Sequence, residues 1–102
     1  MDLAVRTYQV IDSFPKGERF NLISQIQRSV TSIPSNISEG CGRSTKPMFK
    51  QFLTIALGSS YELETQIILS RRLGYFNEEE YSDLLKRTTE VQRMLNGLLG
   101  TL

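Results

Sequence analysis

Leu22, Ile23, Ile26, Val30, Ile33 and Ile37 recur, after the first pair, at steps of three and four residues, and the stripe does not lose phase at Pro34. Proline inside a helix removes one hydrogen bond, presses on the carbonyl four residues back and costs about 3 kcal/mol. Were Pro34 a boundary between two helices, nothing would hold Ile37 in register with Val30 and Ile33. The pattern therefore predicts one helix, kinked at Pro34, with the carbonyl near Val30 left free. Ser29, Thr31, Ser32 and Ser35 are the neighbours whose hydroxyls are placed to help. A long one-sided helix must bury its stripe against other elements, and no alternating β-branched run offers a strand for it.

Three breaks divide the rest of the chain: Pro15-Lys16-Gly17, Gly40 to Pro47, and Gly74-Tyr75-Phe76-Asn77. Four segments result. The first, Asp2 to Phe14, sets Leu3, Tyr8 or Thr7, Ile11 and Phe14 at helical spacing, with Val10 widening the face. The third starts after Ser44 or Thr45 as N-cap, with Pro47 in its first turn, and carries Phe49, Leu53, Ala56, Ser60, Leu63 and Ile67. Phe52, Leu57 and Ile68 flank that stripe, which marks a central helix touching more than one neighbour. Gly58, Ser59 and Ser60 are poor helix formers and suggest close approach to another helix. Arg71 and Arg72 suit its last turn and Gly74 its C-terminal cap. In the fourth segment Asn77 and Glu80 form a capping-box pattern, and Tyr81, Leu84, Leu85, Thr88, Val91, Leu95 and Leu98 form the inner stripe. Short connections favour antiparallel neighbours, so the expected fold is all-α: an antiparallel up-and-down four-helix bundle with a Pro34-kinked second helix, one domain over residues 1–102.

At 102 residues, 39% hydrophobic and 23% charged, the chain has the makings of one core. Its net charge of +1 supplies no general field for nucleic acid or anionic membrane, so any such contact must be local. The first half is the more basic. A single cysteine, Cys41, excludes an intrachain disulfide and fits a reducing, cytoplasmic setting. No apolar run reaches the ~20 residues that span a bilayer, so a membrane partner is not expected.

Catalytic constellations are missing from the sequence. It has no histidine, hence no ordinary general base near neutral pH and no Glu-x-x-His pair of the di-iron bundles. Glu62 and Glu64, two apart on a helix, point to different sides. Gly40-Cys41-Gly42-Arg43 lacks the length and lysine of a phosphate-binding loop. Cys41 reads more simply as a small buried residue than as a reactive thiol. No cofactor or metal is expected.

Interaction surfaces are better candidates. Gln25, Arg28, Ser32, Asn36, Glu39 and Arg43 follow one another at steps of three or four on the second helix and share one face. Such a stripe is a solvated helix face, or else a polar subunit interface or an RNA-contact strip in which Arg28 and Arg43 hold phosphates. Arg43, Lys46 and Lys50 cluster around the central connection. The residues singled out for interface or RNA contact are Arg28, Asn36, Glu39, Arg43, Lys46 and Lys50. Tyr75 and Phe76 could stack on bases, although closing the end of a core is the commoner use.

Ile33-Pro34-Ser35-Asn36-Ile37-Ser38-Glu39-Gly40 with Gly42-Arg43, then Phe52-Leu53, Ala56-Leu57-Gly58-Ser59, Glu62-Leu63-Glu64-Thr65-Gln66 and Leu73-Gly74-Tyr75, resemble the 23S rRNA-intervening-sequence protein family, also called four helix bundle proteins. The resemblance implies a small bacterial cytoplasmic protein that forms an up-and-down four-helix bundle and assembles as a homopentamer. It also places Met1 inside what is the first helix of many relatives, and Cys41 where members often carry an aromatic residue. A relative similar in fold, the accessory protein of diversity-generating retroelements, binds nucleic acid and a reverse transcriptase. The expectation is thus a non-enzymatic, self-associating scaffold that binds structured RNA, with a protein-docking or structural module lacking any nucleic-acid role as the alternative.

Overall fold

The computed structural model describes residues 1–15, 17 and 21–102, so Lys16 of the first break lies outside the described residues. Four α-helices follow in chain order: α1 (Asp2–Ile11), α2 (Leu22–Cys41), α3 (Lys46–Arg72) and α4 (Glu78–Leu99). No strand occurs among the described residues. α2 packs along α3, α3 along α4, and α1 touches both α2 and α4.

Local chemistry fixes the ends of the longer helices. The hydroxyl of Thr45 accepts the Met48 N–H at 3.3 Å, with Pro47 in the first turn where no donor is missed. At the other end of α3, Tyr75 N–H donates to Ser70 O at 2.9 Å and Gly74 N–H to Arg71 O at 3.0 Å. This is the paired closure of a Schellman cap, and it needs the positive φ of 81° that Gly74 adopts. The Asn77 side chain accepts from Glu80 N–H at 2.7 Å while Glu80 Oε1 accepts from Asn77 N–H at 2.9 Å, a complete capping box opening α4.

α2 runs without interruption through Pro34, as the periodicity of its apolar stripe requires. The neighbouring hydroxyls are used elsewhere than the Val30 carbonyl. Thr31 donates to Gln27 O at 2.7 Å, Ser29 to Glu62 Oε1 at 3.0 Å, and Ser32 pairs with Ser59 at 2.8 Å.

The core is built from the expected stripes. Ile26, Leu53, Leu63, Ile67, Leu84 and Leu95 are fully buried, each stabilising the fold by about 1.5–3 kcal/mol relative to exposure. Phe76 closes one end, edge-on to Phe14 with ring centroids 4.9 Å apart, and Tyr75 stands 5.2 Å from Phe14. The ring that could have stacked on a base is therefore core.

Three expectations shift. α1 ends at Ile11 rather than Phe14, because Ser13 and Phe14 bond back three residues, to Val10 and Ile11, in a tighter turn that still delivers the Phe14 ring to the core. Within α1 the buried position is Thr7, whose hydroxyl is satisfied by Leu3 O at 2.7 Å, and Tyr8 faces outward. In α4 the inner row passes through Leu84, Thr88, Gln92 and Leu95, leaving Leu98 exposed.

Candidate interaction surface

The polar stripe of α2 does not act as one surface. Ser29 and Ser32, one turn apart, meet Glu62 and Ser59 on α3, so partner numbers fall along α3 as they rise along α2. Asn36 Nδ2 donates to Ser32 O at 2.8 Å and to Ser32 Oγ at 2.9 Å. Glu62 also accepts from Gln66 Nε2 at 3.3 Å. Ser32 and Asn36 are thus held in a polar seam between α2 and α3, with their donors satisfied inside the molecule. Small hydroxyl-bearing side chains let two helix backbones come close while their own hydroxyls pair across the contact.

The seam tightens at its end, where Gly40 is buried. A Cβ on Gly40 would stand 3.0 Å from Phe49 Cδ1 and 3.0 Å from Phe52 Cβ. Gly58, by contrast, has nothing within 4 Å, so the expected close approach falls on Gly40, Ser59 and Ser60 rather than on Gly58. Cys41 is exposed, against the expectation of burial. One residue on a helix is a turn of about 100°, and Gly40 already occupies the position facing α3.

The remaining candidates gather where α2 ends and α3 begins. Glu39 and Arg43 form an ion pair along the helix, and the Arg43 guanidinium lies 5.1 Å from the centroid of the Phe52 ring. Lys46 and Lys50 are exposed and make no ion pair among the described residues. A cleft of about 350 Å³ lies between Lys46 and the end of α2, lined by Gly40, Cys41, Arg43, Thr45, Lys46 and Phe49, with Lys50 one turn further along α3. Arg28 stands apart on the outer face of α2, exposed. Of the six candidates, the structure brings together Glu39, Arg43, Lys46 and Lys50, commits Asn36 to the seam and isolates Arg28.

Sequence reasoning missed a charged cluster on another face. Asp83 accepts from Arg6 Nε and from Arg87 Nε, each at 3.0 Å, tying α1 to α4. Hydrogen bonds from Arg6, then from Arg87, hold the Asp83 carboxyl below the usual carboxylate range. The i,i+4 spacing of Asp83 and Arg87 was legible; the reach of Arg6 was not. No group of three or more potential metal ligands occurs among the described residues, and no helix there is long and apolar enough to cross a membrane.

The class defined by these features is a small all-helical bundle with a polar α2–α3 seam and a cationic helix junction. Within it, the chain matches the 23S rRNA-intervening sequence protein family over residues 1–97 and belongs to that family. It is similar to the crystal structure of a protein of unknown function from the S23 ribosomal protein family of Bacteroides thetaiotaomicron. That likeness has a TM-score of 0.86 and 30% identity, and it covers 96% of this chain and 92% of the other. No curated protein matches the chain.

Proposed function

We propose that this chain is a non-enzymatic, self-associating helical scaffold whose assembled copies present cations to structured RNA. The observation that carries the reading is the number of large apolar side chains left outside a core that is already closed: Met1, Val5, Ile55, Leu69, Leu73 and Met94 among them. Where such side chains join into a contiguous patch they mark a protein–protein surface, and Ile55 and Leu69 share α3 with its C-cap Leu73, while Met1 and Met94 line one cavity. The homopentamer implied by the resemblance is the stoichiometry this reading adopts. RNA enters through Lys46 and Lys50, which pair with no carboxylate among the described residues, with Arg28 as a separate contact, and the family's link to 23S rRNA supports that partner.

Light scattering tests the scaffold: several chains per particle at micromolar concentration is the expected result, and a strict monomer overturns it. For RNA, affinity for a structured 23S fragment should fall steeply with salt. Lys46→Ala and Lys50→Ala should each reduce the salt slope by about 1. Binding that ignores salt and both substitutions overturns the RNA part alone. The net charge of +1 favours a second reading, a module that docks one protein partner. Retention of that partner after nuclease treatment would select it.

A further inference from the structure

The clefts of this bundle differ in the charge they carry. The one between Tyr8 and Gln27 holds Asp12, the one along Leu3 and Val91 holds Asp2 and Glu90 beside Arg87, and the one at Pro34 holds Glu39. The cleft at the α2–α3 junction is the opposite case. Arg43 and Lys46 line it, and no carboxylate does among the described residues. Its volume of about 350 Å³ falls at the lower end of the roughly 300–1,000 Å³ found for small-molecule sites.

One wall is aromatic. Phe49, half-buried against the core, lies so close to Gly40 that a Cβ there would stand 3.0 Å from its ring. The missing side chain lets the ring settle on α2, so an aromatic group and a bare stretch of helix backbone border the cleft.

The cations beside that wall are available to an anion. Glu39 occupies one N–H donor of the Arg43 guanidinium, and others remain for a phosphate oxygen. That ion pair is 39% and 55% exposed, a setting in which solvent screens it and a competing anion displaces it readily. Lys46 is exposed and makes no ion pair among the described residues, and Lys50 follows one turn along α3.

RNA offers two kinds of surface to such a cleft. A paired helix presents phosphates and hydroxyls and keeps its base faces stacked inside. An unpaired nucleotide presents a flat base together with the phosphates that flank it, and bases of this kind stack on aromatic side chains within cationic grooves. Cations alone would suit either surface; cations around an aromatic wall suit the second.

We infer that the α2–α3 junction cleft takes an unpaired nucleotide of the bound RNA, with the base against Phe49 and the flanking phosphates on Arg43 and Lys46. The inference rests on the RNA reading proposed above and adds which part of a structured RNA is held: a loop or bulge rather than a stem. Lys50 is placed to follow the strand as it leaves.

Cys41 supplies the test. It lines the same cleft, is exposed and is the chain's single cysteine, so its alkylation reports on that cleft in the unaltered protein. The probes are an RNA hairpin with an unpaired adenosine loop and the duplex of its stem. The hairpin should bind about tenfold tighter or more, the gain of one stacked base, and should slow alkylation in proportion to the fraction bound. With the duplex, Cys41 should react near its free rate. Cys41→Glu, at an exposed position, should weaken hairpin binding more than Lys86→Glu on the exposed face of α4, although the latter is the larger change in charge. A bound hairpin that leaves the alkylation rate unchanged, or equal protection by the duplex, overturns the nucleotide site and leaves RNA binding through exposed cations standing. A Cys41 that is unreactive before RNA is added means that the cleft is already covered, which overturns the site as well. Failure of both RNAs to bind overturns the site together with the RNA reading.

Discussion

α2 meets α3 and α1 meets the rest of the bundle by different means. Along the α2–α3 seam the contact is long, close and polar: Ser29, Ser32, Ser59 and Glu62 bond across it and Gly40 admits two phenylalanines. On the α1 side a short helix is held by apolar packing, by the Phe14–Phe76 ring pair beyond its end, and by one shared carboxylate. Small residues make the first contact insensitive to any one side chain but intolerant of added volume. The second depends on a few large groups and is vulnerable to their loss.

The ring pair should be the most costly element to remove. Phe76 is 1% exposed, and Phe76→Ala takes away both the floor for Phe14 and a large buried area. A loss of about 3–5 kcal/mol is expected in urea unfolding. A loss below ~1 kcal/mol would show that α1 is not anchored at that end.

Added volume is the sharper test of the seam. On an open helix Gly→Ala gains about 1 kcal/mol. At Gly40 the new methyl meets Phe52 Cβ at 3.0 Å, an atom that no rotamer change moves away. Gly40→Ala should therefore destabilise by about 1–3 kcal/mol, while Gly58→Ala, with open space around it, should stabilise by up to about 1 kcal/mol. Equal shifts at the two glycines would remove the distinction between a tight seam and an ordinary helix pair.

Much of this contrast was written in the sequence, but unevenly. Steps of three and four carried α2 through Pro34, and local chemistry at Thr45, Gly74 and Asn77 fixed three helix ends, because caps and periodicity depend on residues a turn apart. What periodicity does not encode is which polar residue on a stripe's edge turns inward. Ser29 stands three residues after Ile26 and four before Ile33, at the stripe's edge, so its burial was readable, yet its partner Glu62 is 33 residues away. Gly40 looked like a helix terminator beside Gly42 and is a packing site, since the two phenylalanines that require it belong to the next helix. The same limit explains the candidate surface. Asn36 and Arg28 share a face on a helical wheel, and only the position of α3 separates a seam residue from a free cation.

The carboxylate that ties α1 to α4 should give the smallest effect and the most specific signature. Asp83, Arg6 and Arg87 are each about a third exposed, so solvent screens them and Arg6→Ala should cost only about 0.5–1 kcal/mol near pH 7. The carboxyl is held below its ordinary value of 3.8 in the fold, chiefly by Arg6. A carboxylate with a depressed folded pKa contributes stability that is present above the unfolded value and is lost as pH falls through the folded one. The difference between parent and Arg6→Ala should accordingly be full above the ordinary carboxylate value of 3.8 and fade as pH falls below it. Subtracting one protein from the other cancels carboxylates that the substitution leaves untouched. A difference independent of pH across that range would mean that Arg6 holds α1 through the packing of its aliphatic stem rather than through Asp83, which would bring the α1 side closer in kind to an ordinary apolar contact.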